Sequence, residues 1–192
     1  STHGRGLICV PIEEGRADEL RLPMMVNDNT ALHTTAFTVS IDLIGHGCST
    51  GISAHDRYKT IKAMTLPEIT PDDFARPGHI FPLRAKTGGV LRRTGHTEAA
   101  VDLAKLCGFF PAGVLVEILN EDGSMARLPQ LVKIASEHQL SVISIKDLVA
   151  HRMELERLIK QEVTTKVNTR FGEFEVSAFR QINTGDVHLA LL

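Results

Sequence analysis

The stretch "RRTGHTEAAVDLAKLCGFFPAGVLVEILNEDG" (residues 92–123) predicts a helix followed directly by a strand. From Thr97 to Cys107 the apolar residues recur at spacings of three and four, which is the period of one helix face. From 113 to 123 the chain is apolar and β-branched, and it ends in an Asn-Glu-Asp-Gly turn. Because helix and strand alternate within one short stretch, the fold is expected to be mixed α and β.

The same alternation continues on both sides of this stretch. Further strands are predicted at 6–12, 36–43 and 140–145, and further helices at 129–138 and 146–162. From residue 163 onward the pattern is strand-like, with a turn at Phe171 and Gly172. We therefore expect one domain over residues 1–162 and the opening hairpin of a second domain over 163–192.

Composition limits the function classes. With 192 residues and 43% apolar content, the chain can bury a core of ordinary size. Its formal net charge is −2, with Lys and Arg spread along the chain, so neither nucleic acid nor a membrane surface is an expected partner. Three distant cysteines disfavour a disulfide framework or a structural zinc site and fit a cytoplasmic protein. The chain lacks an initiator Met, so we expect that residues preceded it.

The segment "RRTGHTEA" (92–99) has two interpretations. It can be an ordinary helix start, with Thr97 as the N-cap and solvated arginines. It can also be a phosphate site, in which Arg93 and the N–H groups of the first helical turn face an anion. His96 lies before the expected helix, where its imidazole can bind a metal or transfer a proton, or remain a polar surface residue.

Two other segments carry polar groups in turns or loops. The turn at 50–61, with Gly51, Ser53, Asp56 and Arg57, is explained by helix capping more simply than by anion binding. Residues 76–99 are punctuated by Pro and Gly and predict a long loop that holds His79, Arg84, Arg93 and His96. A long loop of this kind is more often functional than not.

Glu117 lies in an apolar strand, with Leu115 and Leu119 on its own face. If the carboxylate is buried it needs a partner or a pocket, and such a group suits general acid/base catalysis near neutral pH. If the strand is at a sheet edge, Glu117 simply faces water. The periodicity leaves both possibilities open.

Residues 4 to 152 resemble the 3,4-dihydroxy-2-butanone-4-phosphate synthase family. The segments that carry the resemblance, in order along the chain, are "LPMMVNDNT", "FTVSID", "TGISAHDR", "RPGHIFPLRAKTGGVLRRTGHTEAAVDLAKLCGF", "PAGVLVEILNEDGSMAR" and "ISIKDLVAHR". The resemblance implies a layered α-β-α domain around a mixed twisted sheet and a homodimer. It also implies a lyase that converts D-ribulose 5-phosphate into 3,4-dihydroxy-2-butanone 4-phosphate and formate in riboflavin biosynthesis.

The resemblance further assigns roles to particular residues. It implies that Arg93, Thr94, Gly95, His96 and Thr97 bind the sugar phosphate, and that His96 is also a ligand of Mg²⁺ or Mn²⁺. It implies that His79 and Glu117 transfer protons, with Glu117 also in contact with the substrate. A divalent cation stabilises the oxygens of an enediolate, and phosphate anchoring fixes the geometry of the reacting carbons.

The two ends of the chain complete these expectations. The tail, residues 167–192, resembles the first strands of GTP cyclohydrolase II, which suggests part of a bifunctional protein.

The family has an acidic segment ahead of the strand "GLICVPI", and that segment is absent from this sequence. The acidic cluster from Glu13 to Glu19 lies after this strand and does not match the family's segment. We therefore expect no synthase activity from this chain alone. The alternatives are an inactive sugar-phosphate-binding or dimerising module and, less well supported because no H-x-x-x-H pair occurs, a metal hydrolase.

Overall fold

The computed structural model describes residues 3–182 and 184–192, which form two compact units. One unit runs to Ile145 and the other from Lys146 to Leu192. Helices and strands alternate in the first unit, which confirms the predicted mixed α and β class. No described helix is both long enough and apolar enough to cross a bilayer.

The first unit is built on a four-stranded mixed sheet in the order β2-β3-β1-β4. Its elements are β1 (Arg5–Glu13), α1 (Glu14–Glu19), β2 (Ile41–Leu43), α2 (Ala54–Ala63), β3 (Phe74–Ala85), α3 (His96–Leu106), β4 (Leu115–Ile118) and α4 (Leu128–Glu137). Strand β1 is parallel to β3 and antiparallel to β4, and Cys9 is opposite both Phe81 and Leu115. Strand β2 pairs antiparallel with β3.

Strand β1 is central because its residues are apolar on both faces. Residues 9–12 are buried one after another and so on both faces, and Ile41 on β2 and Ile80 on β3 are fully buried. Such continuous apolar runs are typical of strands covered on both sides. The helices that follow β1 and β3 pack against the same sheet.

The second unit contains an antiparallel sheet in the order β5-β6-β7. Helix α5 (Ile145–Leu155) begins at the division between the units, and the strands are β5 (Ile159–Thr169), β6 (Gly172–Gln181) and β7 (Val187–Leu191). Strands β5 and β6 form the predicted hairpin, with its turn at Arg170 and Phe171. The domain boundary predicted at residue 162 remains a prediction, and the compact units divide at an earlier residue.

Three predicted elements are wrong in type or extent. The predicted helix 146–162 ends at Leu155, because residues from Ile159 onward pair with β6. Residues 140–144 form no strand, since no described strand pairs with them, and Val142 and Ile143 are more than half exposed. Within the predicted strand 36–43, only Ile41–Leu43 is a strand.

The loop predicted over 76–99 is a strand in its first part. Residues up to Ala85 belong to β3, which continues through Pro77. The pairing of β2 with β3 shifts between Ile41, opposite Ile80, and Asp42, opposite Ala75. This irregularity leaves residues 76–79 without regular partners on β2, so a proline is tolerated inside the strand.

Candidate functional site

His79 and Asp42 form a hydrogen-bonded pair where β2 meets the irregular part of β3. The backbone N–H of His79 donates to Asp42 Oδ1 at 2.9 Å, and Asp42 Oδ2 lies 2.6 Å from His79 Nδ1. The Asp42 side chain is 13% exposed and that of His79 is 43% exposed. A carboxylate on Nδ1 keeps the proton on that nitrogen, so Nε2 is left as the basic atom facing solvent.

Two glycines allow the backbone to close around this pair. A Cβ at Gly78 would overlap the backbone of Ile41, and one at Gly51 would overlap the Asp42 carboxylate. Gly51 also has φ +83°, which other residues rarely adopt. Ser40 Oγ accepts the N–H of Gly78 at 3.1 Å. The position of Asp42 is therefore set by close packing, and its contact with His79 follows from that position.

Asp42 was missed by the sequence reasoning, although it carried a usable signal. It is the carboxylate that ends the apolar run "FTVSID", just as Glu117 interrupts the run "VLVEIL". A carboxylate in an apolar strand needs a partner, and the partner is His79, 37 residues further along the chain.

Glu117 lies on β4, which is an edge strand, and its side chain is exposed. The sequence allowed either a buried carboxylate or an exposed one on an edge strand. The structure shows the second, with Glu117 exposed to water. Burial and then the charge of Glu117 raise the pKa of the Cys9 thiol to about 11, so the carboxylate lies near β1. No described hydrogen bond or ion pair joins Glu117 to His79.

The sheet register nevertheless relates His79 to Glu117. Because β3 is parallel and β4 antiparallel to β1, His79 and Glu117 lie toward the same end of β1, each two residues from a partner of Cys9. The regular β1–β3 pairing begins at Cys9 and Phe81, and the pairing of β1 with β4 shifts between Arg5 and Ile8, so both residues lie beside the irregular end of β1.

Helix α3 begins at His96, and its N-cap is Gly95, so the prediction that Thr97 is the cap is wrong. The N-cap, with its extended backbone, lies two residues earlier than predicted, and Thr97 is buried inside the first helical turn. Gly95 has no side chain to bond the first N–H groups of the helix. An uncapped helix N-terminus of this kind is suited to an anion.

Arg93 is held in place beside this helix start. Its Nη1 lies 2.7 Å from Oε2 of Glu98, and its Nη2 donates to the carbonyl oxygen of His33 at 2.9 Å. Glu98 is 1% exposed and Arg93 is 30% exposed. The predicted solvated arginine is thus partly enclosed, and its remaining N–H groups are those available to a ligand. Thr94 and His96 are exposed on the same segment.

The described residues do not build a complete metal site. Across residues 3–182 and 184–192 no three His, Cys, Asp or Glu side chains are placed to hold one ion. Mg²⁺ prefers oxygen ligands in octahedral geometry, and His96 alone offers one imidazole. The early acidic residues form ion pairs with basic side chains and are not grouped around one point. The pairs are Glu13 with Lys105, Glu14 with Lys86, Asp18 with Arg84, and Glu19 with Arg16.

The turn before α2 is explained by helix capping, as the sequence favoured. Ser53 accepts the N–H of Asp56, and Asp56 Oδ2 accepts hydrogen bonds from the N–H and hydroxyl of Ser49 and from the N–H of Gly51. These bonds, with that from the Ser49 N–H the largest, outweigh burial and lower the pKa of Asp56 below its ordinary value of 3.8.

This depressed pKa predicts a pH-dependent contribution to stability. A carboxylate whose pKa is lower in the folded state stabilises the fold above its unfolded pKa, and this contribution is lost as the pH falls through the folded pKa. We expect Asp56→Asn to lower the free energy of unfolding at pH 7 and to flatten its decline toward pH 3. Urea unfolding at both pH values measures this, with Asp72→Asn as the control. Equal declines in the wild type and Asp56→Asn would contradict it.

Comparisons with known proteins agree on one family. The sequence profile of the 3,4-dihydroxy-2-butanone 4-phosphate synthase family matches residues 1–151. The riboflavin biosynthesis protein RibBA of Cytophaga hutchinsonii is 62% identical over 192 residues, which is 100% of this chain and 47% of that protein. The RibBA of Synechocystis sp. is 52% identical over 193 residues, covering 100% of this chain and 35% of that protein. The chain spans about half the length of the first of these curated relatives and about a third of the second.

Solved structures give the same result. RibBX of A. baumannii, described as a two-domain 3,4-dihydroxy-2-butanone 4-phosphate synthase, is 43% identical with a TM-score of 0.88, covering 100% of this chain and 56% of that one. A 3,4-dihydroxy-2-butanone 4-phosphate synthase in complex with two magnesium ions is 41% identical with a TM-score of 0.75, covering 80% of this chain and 76% of that one. The profile match and these identities show that the chain belongs to the 3,4-dihydroxy-2-butanone 4-phosphate synthase family.

Proposed function

We propose that this chain supplies the proton-transfer and phosphate-binding residues for the conversion of D-ribulose 5-phosphate into 3,4-dihydroxy-2-butanone 4-phosphate and formate, a step of riboflavin biosynthesis. The observation that carries the proposal is the hydrogen-bonded Asp42–His79 pair, and Glu117 lies toward the same end of β1 as His79. The family membership and the names of the RibBA relatives support it. The two products together contain all the atoms of the substrate, so the reaction needs no oxidant or reductant.

His79 acts as the general base in this proposal. Its Nε2 removes the proton on the carbon next to the ketose carbonyl, while Asp42 holds the Nδ1 proton and stabilises the imidazolium that forms. Glu117, exposed on the edge strand β4, transfers a second proton to or from the same substrate in this proposal. Two proton-transfer groups suit an enolisation followed by rearrangement.

The phosphate binds at the start of α3. Arg93 supplies the positive charge, and the N–H groups of His96 and Thr97 face the anion, since Gly95 leaves them without a side-chain cap. The Thr97 side chain is buried, so we assign its contribution to the backbone. Thr94 is the exposed hydroxyl of the same segment. Binding energy from the phosphate then fixes the reacting carbons near His79 and Glu117.

A divalent cation, Mg²⁺ or Mn²⁺, is part of the proposal because a related synthase is described in complex with two magnesium ions. When bound, such an ion stabilises negative charge on the substrate oxygens. The exposed imidazole of His96 is the proposed ligand in this chain. The described residues do not form a complete metal site around His96, so the proton transfers proposed above use protein groups alone.

The assembly and the tail are also proposals. We propose that the chain forms a homodimer in the cytoplasm and that residues 163–192 are the opening strands of a GTP cyclohydrolase II domain. The antiparallel hairpins of β5, β6 and β7 are compatible with such strands. Size-exclusion chromatography with light scattering measures the assembly, and a monomer at micromolar concentration would contradict the homodimer.

Formate release tests the proposed function. This chain is grafted into the Cytophaga hutchinsonii relative in place of its 192 matching residues. Incubation of the graft with D-ribulose 5-phosphate and Mg²⁺ is expected to give formate and a phosphorylated four-carbon product in equal amounts. A graft that binds the substrate but releases no formate would instead favour the inactive binding module.

Arg93 has a predicted effect on ligand affinity. We expect Arg93→Ala to weaken binding of D-ribulose 5-phosphate by about 1.5–3 kcal/mol, the scale of a charge-assisted hydrogen bond, and to leave binding of D-ribulose almost unchanged. Isothermal calorimetry on the chain measures both. Arg92→Ala, which removes the neighbouring exposed charge, is the matched control. A larger loss in Arg92→Ala than in Arg93→Ala would contradict the assignment.

A further inference from the structure

We propose that Glu98 is the positioning residue of the phosphate site, because it fixes the guanidinium of Arg93 beside the first turn of α3. The inference rests on the proposed function of Arg93 as a phosphate ligand. Glu98 Oε2 lies 2.7 Å from Arg93 Nη1, and Glu98 Oε1 accepts the backbone N–H of Lys86 at 3.0 Å. Both carboxylate oxygens therefore have a defined partner.

The burial of Glu98 makes this contact with Arg93 obligatory. The side chain is 1% exposed, and a carboxylate so far removed from water needs a cation and hydrogen bonds to remain charged. Arg93 supplies the charge and Lys86 supplies the second hydrogen bond. Since Lys86 directly follows β3, Glu98 also ties the helix start to the end of that strand.

Arg93 is fixed at a second point as well. Its Nη2 donates to the carbonyl oxygen of His33 at 2.9 Å, from a segment 60 residues earlier in the chain. Two bonds on different nitrogens define the plane of a guanidinium, which carries five N–H donors in a rigid fork. The remaining donors therefore have fixed directions before any ligand binds.

The turn ahead of α3 closes over this pair. A Cβ at position 95 would overlap Arg93 Nη1 and would lie 2.7 Å from Glu98 Oε2. Gly95 is also the N-cap, so the ion pair lies against the residue from which the helix begins. The fixed cation and the uncapped helical N–H groups are thus neighbours, and one phosphate group can meet both.

The advantage of this arrangement is preorganisation. A free arginine loses rotamer entropy when it binds a ligand, whereas Arg93 loses it on folding. Glu98→Gln keeps the side-chain shape and the acceptor for the Lys86 N–H, and removes the charge that holds Arg93. A role limited to stability would change unfolding and leave the preference for phosphorylated over unphosphorylated ligands unaltered.

Calorimetric titration of the chain with D-ribulose 5-phosphate, D-ribulose and inorganic phosphate tests the proposal. We expect Glu98→Gln to weaken both phosphate-containing ligands by roughly five- to tenfold and D-ribulose by much less. In the double variant Glu98→Gln/Arg93→Ala the affinity should equal that of Arg93→Ala, because residues that act through one another are not additive. Asp102→Asn is the matched control: this buried carboxylate of α3 accepts the N–H of Val90 at 2.7 Å, and its loss should leave phosphate affinity unchanged.

The outcomes separate this proposal from the one it rests on. The positioning role would be overturned, with Arg93 still a phosphate ligand, by either of two results. One is unchanged phosphate affinity in Glu98→Gln; the other is a loss of binding free energy in the double variant equal to the sum of the two single losses. Unchanged affinity in Arg93→Ala would overturn the phosphate site itself. If circular dichroism shows that Glu98→Gln is unfolded, Glu98→Asp is the second variant: it keeps the charge but withdraws the carboxylate, and wild-type phosphate affinity in Glu98→Asp would overturn the proposal.

Discussion

Glu117→Gln in the graft is expected to lower the rate of formate release by about 10²–10⁴-fold, the usual contribution of a general acid or base. The amide keeps the shape and polarity of the side chain but does not exchange a proton. Because the proposed phosphate site lies at the start of α3 and Glu117 lies on β4, the affinity for D-ribulose 5-phosphate should change little. The measurements are the kcat for formate release and the dissociation constant from calorimetry.

Glu121→Gln is the matched control for this variant. Glu121 follows β4 in the same segment, is 91% exposed, and pairs with Arg5 at 3.4 Å. Removing its charge should leave kcat unchanged. Turnover of Glu117→Gln within threefold of the wild type would show that Glu117 is an ordinary exposed residue of an edge strand.

Asp42→Asn is expected to lower kcat by up to about 10⁴-fold, the size of effect known for an Asp that orients a catalytic His. An asparagine can donate to Nδ1, which moves the ring proton to Nε2 and removes the basic atom from the substrate side. The backbone bond from His79 to the side-chain oxygen can be kept, so the fold should survive. We expect the Michaelis constant to change much less than kcat.

Asp72→Asn is the control for Asp42→Asn, since Asp72 is exposed just before β3. The pH dependence gives a second readout. If His79 is the base and Asp42 orients it, the activity of Asp42→Asn should be reduced at every pH, and its profile should not simply be displaced along the pH axis. A kcat close to that of the wild type in Asp42→Asn would rule out the pair as the catalytic base.

The strongest local patterns were read correctly from the sequence. Helix α3 and strand β4 lie within residues 92–123 because the apolar spacing there changes from the helical period to the strand period. The start of α3 differed by one residue, since the capping position depends on the backbone conformation of Gly95 and not on the presence of a good capping side chain.

The errors arise where a partner far along the chain decides the structure. Pro77 indicates a loop when read locally, but the irregular pairing of β2 with β3 accommodates it within a strand. Residues 140–145 have strand-like composition, yet a strand also needs a neighbour to bond with, and no described strand pairs with them.

The candidate site follows the same rule. His79, His96, Arg93 and Glu117 were proposed as individual side chains, and the structure adds the groups that hold two of them. Asp42 is 37 residues from His79, and the His33 carbonyl is 60 residues from Arg93, so neither contact has a periodic signal. Glu98 is close to Arg93 in sequence, but its burial is visible only once the helix packs.

Proton exchange at the substrate carbon is the most direct test of the claim that the Asp42–His79 pair carries the chemistry. The graft and its His79→Gln variant are incubated with D-ribulose 5-phosphate and Mg²⁺ in D₂O, and deuterium next to the ketose carbonyl is followed by proton NMR. We predict that the wild-type graft incorporates deuterium and releases formate, and that His79→Gln binds the substrate but does neither at a measurable rate. Deuterium incorporation by His79→Gln at the wild-type rate would contradict the account.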